Sequence, residues 1–288
     1  FFAVIRVNRL IINADDFGIH EAVNEGIYSA YGQGVLTSTS LLAQGPAFDD
    51  AVRMSKECNR LGIGIHLCLV GSLPTVLSPR EVPSLVESDG LLPDNYMTFI
   101  KRVYTGKIDF SQVYAELSAQ IEKILDSGIR VTHIDSHQHL HVLPPVWKIT
   151  VALMKKYGIH RVRIPREAST FKMLTASPAR VFGRDGLTVL AGRAAREAER
   201  LGFSLTDYFW GMVDGGNMKE VNLQYILRRL PFGIHEIMMH PGKSDDLLGH
   251  TFAWGYHWQE ELQALVSVRT REIIASKKIE LINYGDLL

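Results

Sequence analysis

Short apolar runs alternate with longer stretches of helical period along most of the chain. Arg9 to Asn13 has the length and apolarity of a strand, and Glu21 to Gly32 follows with the spacing of a helix. Leu36 to Ala43 reads as a strand with Ser and Thr alternating, and Pro46 opens a helix through Cys58. Leu61 to Leu69 is the next strand, and Phe110 to Ser127 is an amphipathic helix that stops before Gly128. Arg130 to Asp135 is a strand, and Pro144-Pro145 starts a helix through Tyr157. His160 to Ile164, Asp207 to Trp210 and Gly233 to Met239 continue the strand series. A helix over His257 to Ser276 and a strand over Ile279 to Asn283 end it.

This alternation predicts an α/β fold with a parallel sheet and crossover helices. About eight such units point to a distorted (β/α) TIM-like barrel of seven or eight parallel strands, with residues 1–288 as one domain. Two stretches break the rhythm. Residues 71–104 are long and rich in Pro, and residues 171–203 are helical, basic and apolar. Both are expected as excursions over one rim.

At 46% apolar residues the 288-residue chain can bury a core. Lys plus Arg and Asp plus Glu are 31 each, and this zero balance disfavours a nucleic-acid partner. No apolar run reaches the roughly 18 residues of a membrane span. Two cysteines, Cys58 and Cys68, exclude a disulfide scaffold and fit a reducing compartment. Phe1 to Ile5 is apolar but too short for a signal peptide, so a cytoplasmic location is expected.

The residues able to do chemistry fall at C-terminal strand ends, where barrels build active sites. Asn13, Asp15 and Asp16 end the first strand and His66 the third. His133, Asp135, His137, His139 and His141 end the fourth, Arg163 the fifth, and His240 the strand before Pro241. Two adjacent carboxylates suit two jobs, one on a cation and one free as a base. The crowded histidines suit a transition-metal site, because imidazole is the common ligand for such ions. In extended backbone His137, His139 and His141 would point together. One of them as ligand, with the others in support, leaves a catalytic ion its open positions. Arg163, if turned inward, needs a carboxylate partner, and Asp15 is the natural one.

The ordered set Asn13-Ala14-Asp15-Asp16-Phe17-Gly18, Thr37-Ser38-Thr39-Ser40, Gly45-Pro46-Ala47-Phe48, Gly64-Ile65-His66-Leu67, His133 to His141 and His240-Pro241-Gly242 resembles the YdjC-like (ChbG-like) carbohydrate deacetylases. The likeness runs from about Leu10 to the C-terminus. Leu69-Val70-Gly71, Glu81 to Val86 and Asp89-Gly90 look like the hopanoid-biosynthesis branch, whose substrate would be an N-acetylglucosaminyl hopanoid lipid. The resemblance implies a distorted barrel with one divalent metal on Asp16, His66 and His137. It makes Asp15 the base and His240 the acid. Arg163-Ile164-Pro165 looks like the Arg-x-Pro element that steers the base in the wider polysaccharide deacetylases. Asn13, Asp135, His139 and His141 are left to support the ligands or touch substrate.

The expected reaction is hydrolysis of an N-acetyl group to acetate and a free amine. Zn is the first choice of metal, with Mn, Co or Ni acceptable and Mg a poorer match to nitrogen ligands. The expected partner is an N-acetylated sugar or glycolipid. Leu73, Val76, Leu77, Phe171, Met173, Leu174, Val181, Phe182, Leu187, Val189 and Leu190 either pack the excursions or meet lipid. In the second case Arg180, Arg184, Arg193 and Arg196 would aid peripheral contact with the inner membrane surface. A homodimer is compatible with this picture. The rivals are a deacetylase of soluble chitooligosaccharide, another metal-dependent amide hydrolase, and a non-catalytic barrel that binds sugar or lipid.

Overall fold

The computed structural model describes residues 7–167 and 178–288, and the side chains of 178–186 are outside it. Phe1 to Ile5 and the 171–177 part of the second excursion, with Phe171, Met173 and Leu174, therefore lie outside the described residues. So do the side chains of Arg180, Val181, Phe182 and Arg184.

The first strand, β1 (Arg9–Phe17), is buried along almost its whole length. Such a run belongs in the middle of a parallel sheet covered on both faces. Helix α1 (Glu21–Gln33) follows, its first turn held by the His20 side chain, which accepts from the Ala22 N–H. Then come β2 (Ser38–Leu41), α2 (Phe48–Ser55) and β3 (Gly62–Leu67). Residues 71–104 carry α3 (Tyr96–Tyr104), capped by Asn95. Helix α4 (Phe110–Asp126), β4 (Val131–Ser136) and α5 (Pro144–Tyr157) continue the alternation. Proline sits at the start of α5, and Gly158 ends it in the left-handed conformation at φ 67°. The chain closes with α6 (Pro178–Arg200), β5 (Tyr208–Trp210), α7 (Glu220–Leu227), β6 (Ile234–Met239), α8 (Asp245–Thr251), α9 (Trp258–Val266), α10 (Val268–Ser276) and β7 (Glu280–Leu281).

The pairing is parallel throughout, in the order β4-β3-β2-β1-β6-β5, with β7 joining the start of β1. The sheet curls into a distorted TIM-like barrel that stays open between β4 and β5. Residues 161–167 cross that gap through single bridges, Ile134 to Val162, Arg161 to Ser204 and Glu167 to Phe209. The strand expected over His160 to Ile164 is thus reduced to isolated pairings. Pro165, which follows it and has no N–H to donate, keeps the pairing from continuing toward Glu167.

Two further expectations change. The helix over His257 to Ser276 breaks at Ser267, whose backbone is extended (ψ 132°) and whose hydroxyl caps α10 at Thr270. The last strand shrinks to two residues. Within the first excursion Leu73, Val82 and Leu85 are buried, and Val76 and Leu77 pack against the core. In α6, Leu187 and Leu190 also pack against the core, while Val189 is 63% exposed. Among the described residues, no helix is long and apolar enough to cross a membrane.

Candidate metal centre

Adjacent residues in a regular strand point to opposite faces, so Asp15 and Asp16 could not both serve one pocket. The structure solves this with a bulge. Ala14 pairs with Thr39 and Phe17 with Leu41, so β1 carries one more residue than β2 across that interval. Asp16 takes φ 67°, a left-handed conformation rare for a residue with a side chain. Asn13 and Asp15, two apart, share a face, and Asn13 Nδ2 donates to Asp15 Oδ1 at 2.9 Å.

His66 and Asp135 are register partners across β3 and β4, which sets His66 Nδ1 2.7 Å from Asp135 Oδ1. The other ring nitrogen, Nε2, lies 3.4 Å from Asp16 Oδ1. His137 Nδ1 meets the same Asp16 oxygen at 2.9 Å. Ligand atoms of Asp16, His66 and His137 all lie within 4.8 Å of one another, and all three side chains are buried. Burial raises the Asp16 carboxyl, but His137 and His66 outweigh it and hold the group well below its usual range. Burial lowers the His66 imidazole, but Asp135 chiefly, with Asp16 and Asp15, reverses this and holds it at about 10.

A cation fits here on the structure's own terms. Among the described residues, buried Asp15, Asp16 and Asp135 face one permanent cation, Arg163, which leaves negative charge to balance. His137 Nε2 is buried without a hydrogen-bond partner. Gly71, at φ +105°, keeps space beside that nitrogen, since an added Cβ would sit 3.2 Å from it. Asp16, His66 and His137 are thus placed so that one divalent metal could be held among them. A second grouping of Asp15, His66 and Asp135 also comes together. There, however, the carboxylates are already engaged by Arg163.

Arg163 is fully buried and turned inward. Its NH1 and NH2 grip Asp15 Oδ2 and Oδ1 at 2.6 and 2.7 Å, NH1 also reaches Asp135 Oδ2 at 2.9 Å, and Nε donates to Glu236 Oε1 at 2.7 Å. Ser40 ties the wings together, accepting from Asn13 at 2.8 Å and donating to Asp135 at 2.5 Å.

The expected alignment of His137, His139 and His141 does not occur. Residues 137–142 form a tight 3-10 turn in which Gln138 and His139 take φ 52° and 57°. Strand alternation therefore ends at His137. His139 sets its ring edge-on to Phe209 at 5.6 Å. His141 is consumed by Ser136 Oγ at 2.6 Å and the Arg163 carbonyl at 2.8 Å. Burial drives His139 well below the usual imidazole range and His141 down to about 4. His133, also buried and pushed down to about 3, stacks on Tyr284 at 3.9 Å.

His240 follows β6 and is buried, with Nδ1 lacking a hydrogen bond. Burial lowers its imidazole, although Asp15 and Asp16 pull the other way. Its backbone N–H donates to Glu261, which also accepts from Met218 at 2.8 Å. Glu236 and Glu261 lie outside the strand-end pattern that points to the other polar residues. The signal was present: Glu236 interrupts an apolar strand, and Glu261 shares the buried face of α9 with Leu262 and Leu265. A charge in such a place needs a partner.

A protein-family model described as YdjC-like protein matches residues 9–276. A protein named carbohydrate deacetylase from Clostridium beijerinckii is 30% identical over 283 residues, covering 97% of this chain and 100% of its own length. One of the same name from Vibrio cholerae is 28% identical, covering 97% of this chain and 96% of its own. A crystal structure from Enterococcus faecalis V583, of a protein described as a candidate for cellobiose-phosphate cleavage, superposes with a TM-score of 0.76 at 26% identity. It covers 96% of this chain and 98% of that one.

Proposed function

The chain belongs to the YdjC-like family, and from that premise we propose that it is a metal-dependent carbohydrate N-deacetylase. It hydrolyses the acetamide of an N-acetylated sugar to acetate and a free amine. The observation that carries this reading is the meeting of Asp16, His66 and His137 beside a carboxylate, Asp15, that a buried arginine holds with two parallel hydrogen bonds.

Zn is the ion we assign to Asp16, His66 and His137, since two imidazoles favour a borderline cation. When bound, the ion makes a water acidic and polarises the acetyl carbonyl. Asp15 is the base that takes the attacking water's proton. Arg163 and Asn13 fix its orientation, so the proton acceptor does not have to be positioned at the moment of reaction. His240 gives a proton to the departing nitrogen, which cannot leave as an anion. Because burial disfavours its charged form, His240 releases a captured proton readily. Asp135 holds the His66 ring through Nδ1, leaving Nε2 for the ion.

The substrate we favour is a soluble oligosaccharide. Leu73 is buried, and Val76 and Leu77, half-buried, pack against the core rather than standing out toward a lipid. The loop likeness at Glu81 to Val86 favours the second reading, a hopanoid glycolipid. Metal analysis paired with acetate release from N-acetylglucosamine oligomers, against the glycolipid, tests both. The expectation is one divalent ion per chain, activity lost on chelation, faster turnover of the oligomers, and a fall of roughly 10²- to 10⁴-fold for Asp15→Asn. Acetate release indifferent to chelation, or none from any N-acetylated sugar, refutes the assignment.

A further inference from the structure

From the end of α8 to the first residue of α9 the chain carries an aromatic residue at every second position: Phe252, Trp254, Tyr256 and Trp258. Exposure follows the same period. Thr251, Ala253, Gly255 and His257 are exposed, whereas Phe252, Trp254 and Tyr256 are partly buried and Trp258 is buried. Rings that served only as core would be covered as Trp258 is. The three before it instead form a strip of rings packed on one another: Phe252 stacks on Trp254 at 4.6 Å with 27° between the planes, and Trp254 is tilted by 58° to Tyr256 at 5.5 Å.

The strip lies along the rim that holds the site. Trp254 is 5.3 Å from the His137 ring, Tyr256 is 4.8 Å from the His240 ring, and Phe252 meets the edge of His20 at 6.4 Å. It therefore touches the metal ligand after β4, the acid after β6 and the loop after β1. The rings are also braced. Gly216, at φ +74°, leaves no room for a side chain, because an added Cβ would lie 2.1 Å from the Tyr256 ring.

We propose that Phe252, Trp254 and Tyr256 form an aromatic platform against which a pyranose ring of the substrate packs, set so that an N-acetyl group on that ring reaches His137 beside Trp254 and His240 beside Tyr256. This deepens the carbohydrate reading above and rests on it. A pyranose has faces of C–H groups and a rim of hydroxyls. Stacking on an aromatic face buries the C–H surface and leaves the hydroxyls wet. The aromatic surface starts at the two proposed working residues, so a ring lying on it carries its substituent to them without a charged anchor.

The test uses the metal-loaded full chain with the β-1,4-linked N-acetylglucosamine disaccharide as probe. Binding is read by saturation-transfer NMR, and turnover is compared with that of an acyclic acetamide, N-acetylethanolamine. In Trp254→Leu, which keeps apolar bulk without a flat face, disaccharide affinity is expected to weaken roughly ten-fold. The ratio of kcat/KM for the disaccharide to that for the acyclic amide should fall by a similar factor. Trp254→Phe should recover most of both, and Phe252→Leu should show a smaller loss. Unchanged affinity in Trp254→Leu, or an equal fall on both amides, would mean that Trp254 merely props His137, and overturns the platform. Wild-type protein that binds the disaccharide through these rings but releases no acetate would sink the deacetylase reading and leave the platform standing.

Discussion

Both carboxylate oxygens of Asp15 are taken by one guanidinium, and that guanidinium is pinned from behind by Glu236, itself fixed by the Tyr284 hydroxyl. His240 has no such clamp. Among the described residues its buried Nδ1 has no hydrogen bond, the ring leans on Tyr256, and Glu261 supports it through the backbone N–H and, at 3.8 Å from Nδ1, only loosely through the ring. The contrast suits the two jobs proposed for these residues. A base has one proton to take from one place, so rigid aim costs nothing at the moment of reaction. A proton donor must acquire its proton and then deliver it elsewhere, so a ring free of strong side-chain partners suits it better.

Breaking the base side should give the largest effect. Arg163→Ala would leave Asp15, Asp135 and Glu236 buried without their cation. Urea titration is expected to show a loss of about 3–5 kcal/mol, and acetate release should fall to near background. Arg163→Lys restores a charge but not the planar two-pronged grip, so it should recover stability more than rate. Full recovery of rate by lysine would remove the need for the clamp.

On the acid side the expected pattern reverses, with rate lost and stability kept. His240→Gln should lower kcat by roughly 10²- to 10⁴-fold. Its unfolding free energy from urea titration should stay within about 1 kcal/mol of wild type, because little is bonded to the ring. Since burial lowers the imidazole, the alkaline limb of the wild-type kcat/KM profile should fall on the acid side of ordinary histidine titration. It should vanish in the variant. A limb that survives the substitution assigns the acid elsewhere.

Why this contrast was only half visible in the sequence is a matter of backbone geometry. Asn13, His66, Asp135 and His240 could be placed because an apolar run stops at each, and a barrel gathers strand ends. The meeting of Arg163 with Asp15 could be anticipated from the cost of burying an unpaired guanidinium. Nothing in Ala14-Asp15-Asp16-Phe17 separates a bulged strand from a regular one, so the twist that turns Asp16 was hidden. The left-handed pair Gln138 and His139 was hidden likewise, and strand alternation misplaced His139 and His141. Glu236 and Glu261 could have been flagged as charges on buried faces, but their partners come from distant elements that only the fold brings near.

The smallest expected effect concerns how the acid side is supported. Burial pushes the Glu261 carboxyl up to about 8, against the backbone N–H groups of His240 and Met218, which pull it down. The folded state thus holds a proton that an unfolded glutamate, titrating at about 4.3, gives up. The stability this provides is complete below that unfolded value and is lost as pH rises through about 8. Glu261→Gln cannot titrate, so its melting temperature should drop less than that of wild type between pH 5.5 and 9, by a few degrees. Glu236, pushed up to about 7 by burial, acts with the same sign in both proteins and cancels in the difference. Parallel melting curves across that interval would mean that Glu261 is ionised throughout. The two sides of the site would then both be held by charged carboxylates, and the contrast between them would lie in the side-chain partners alone.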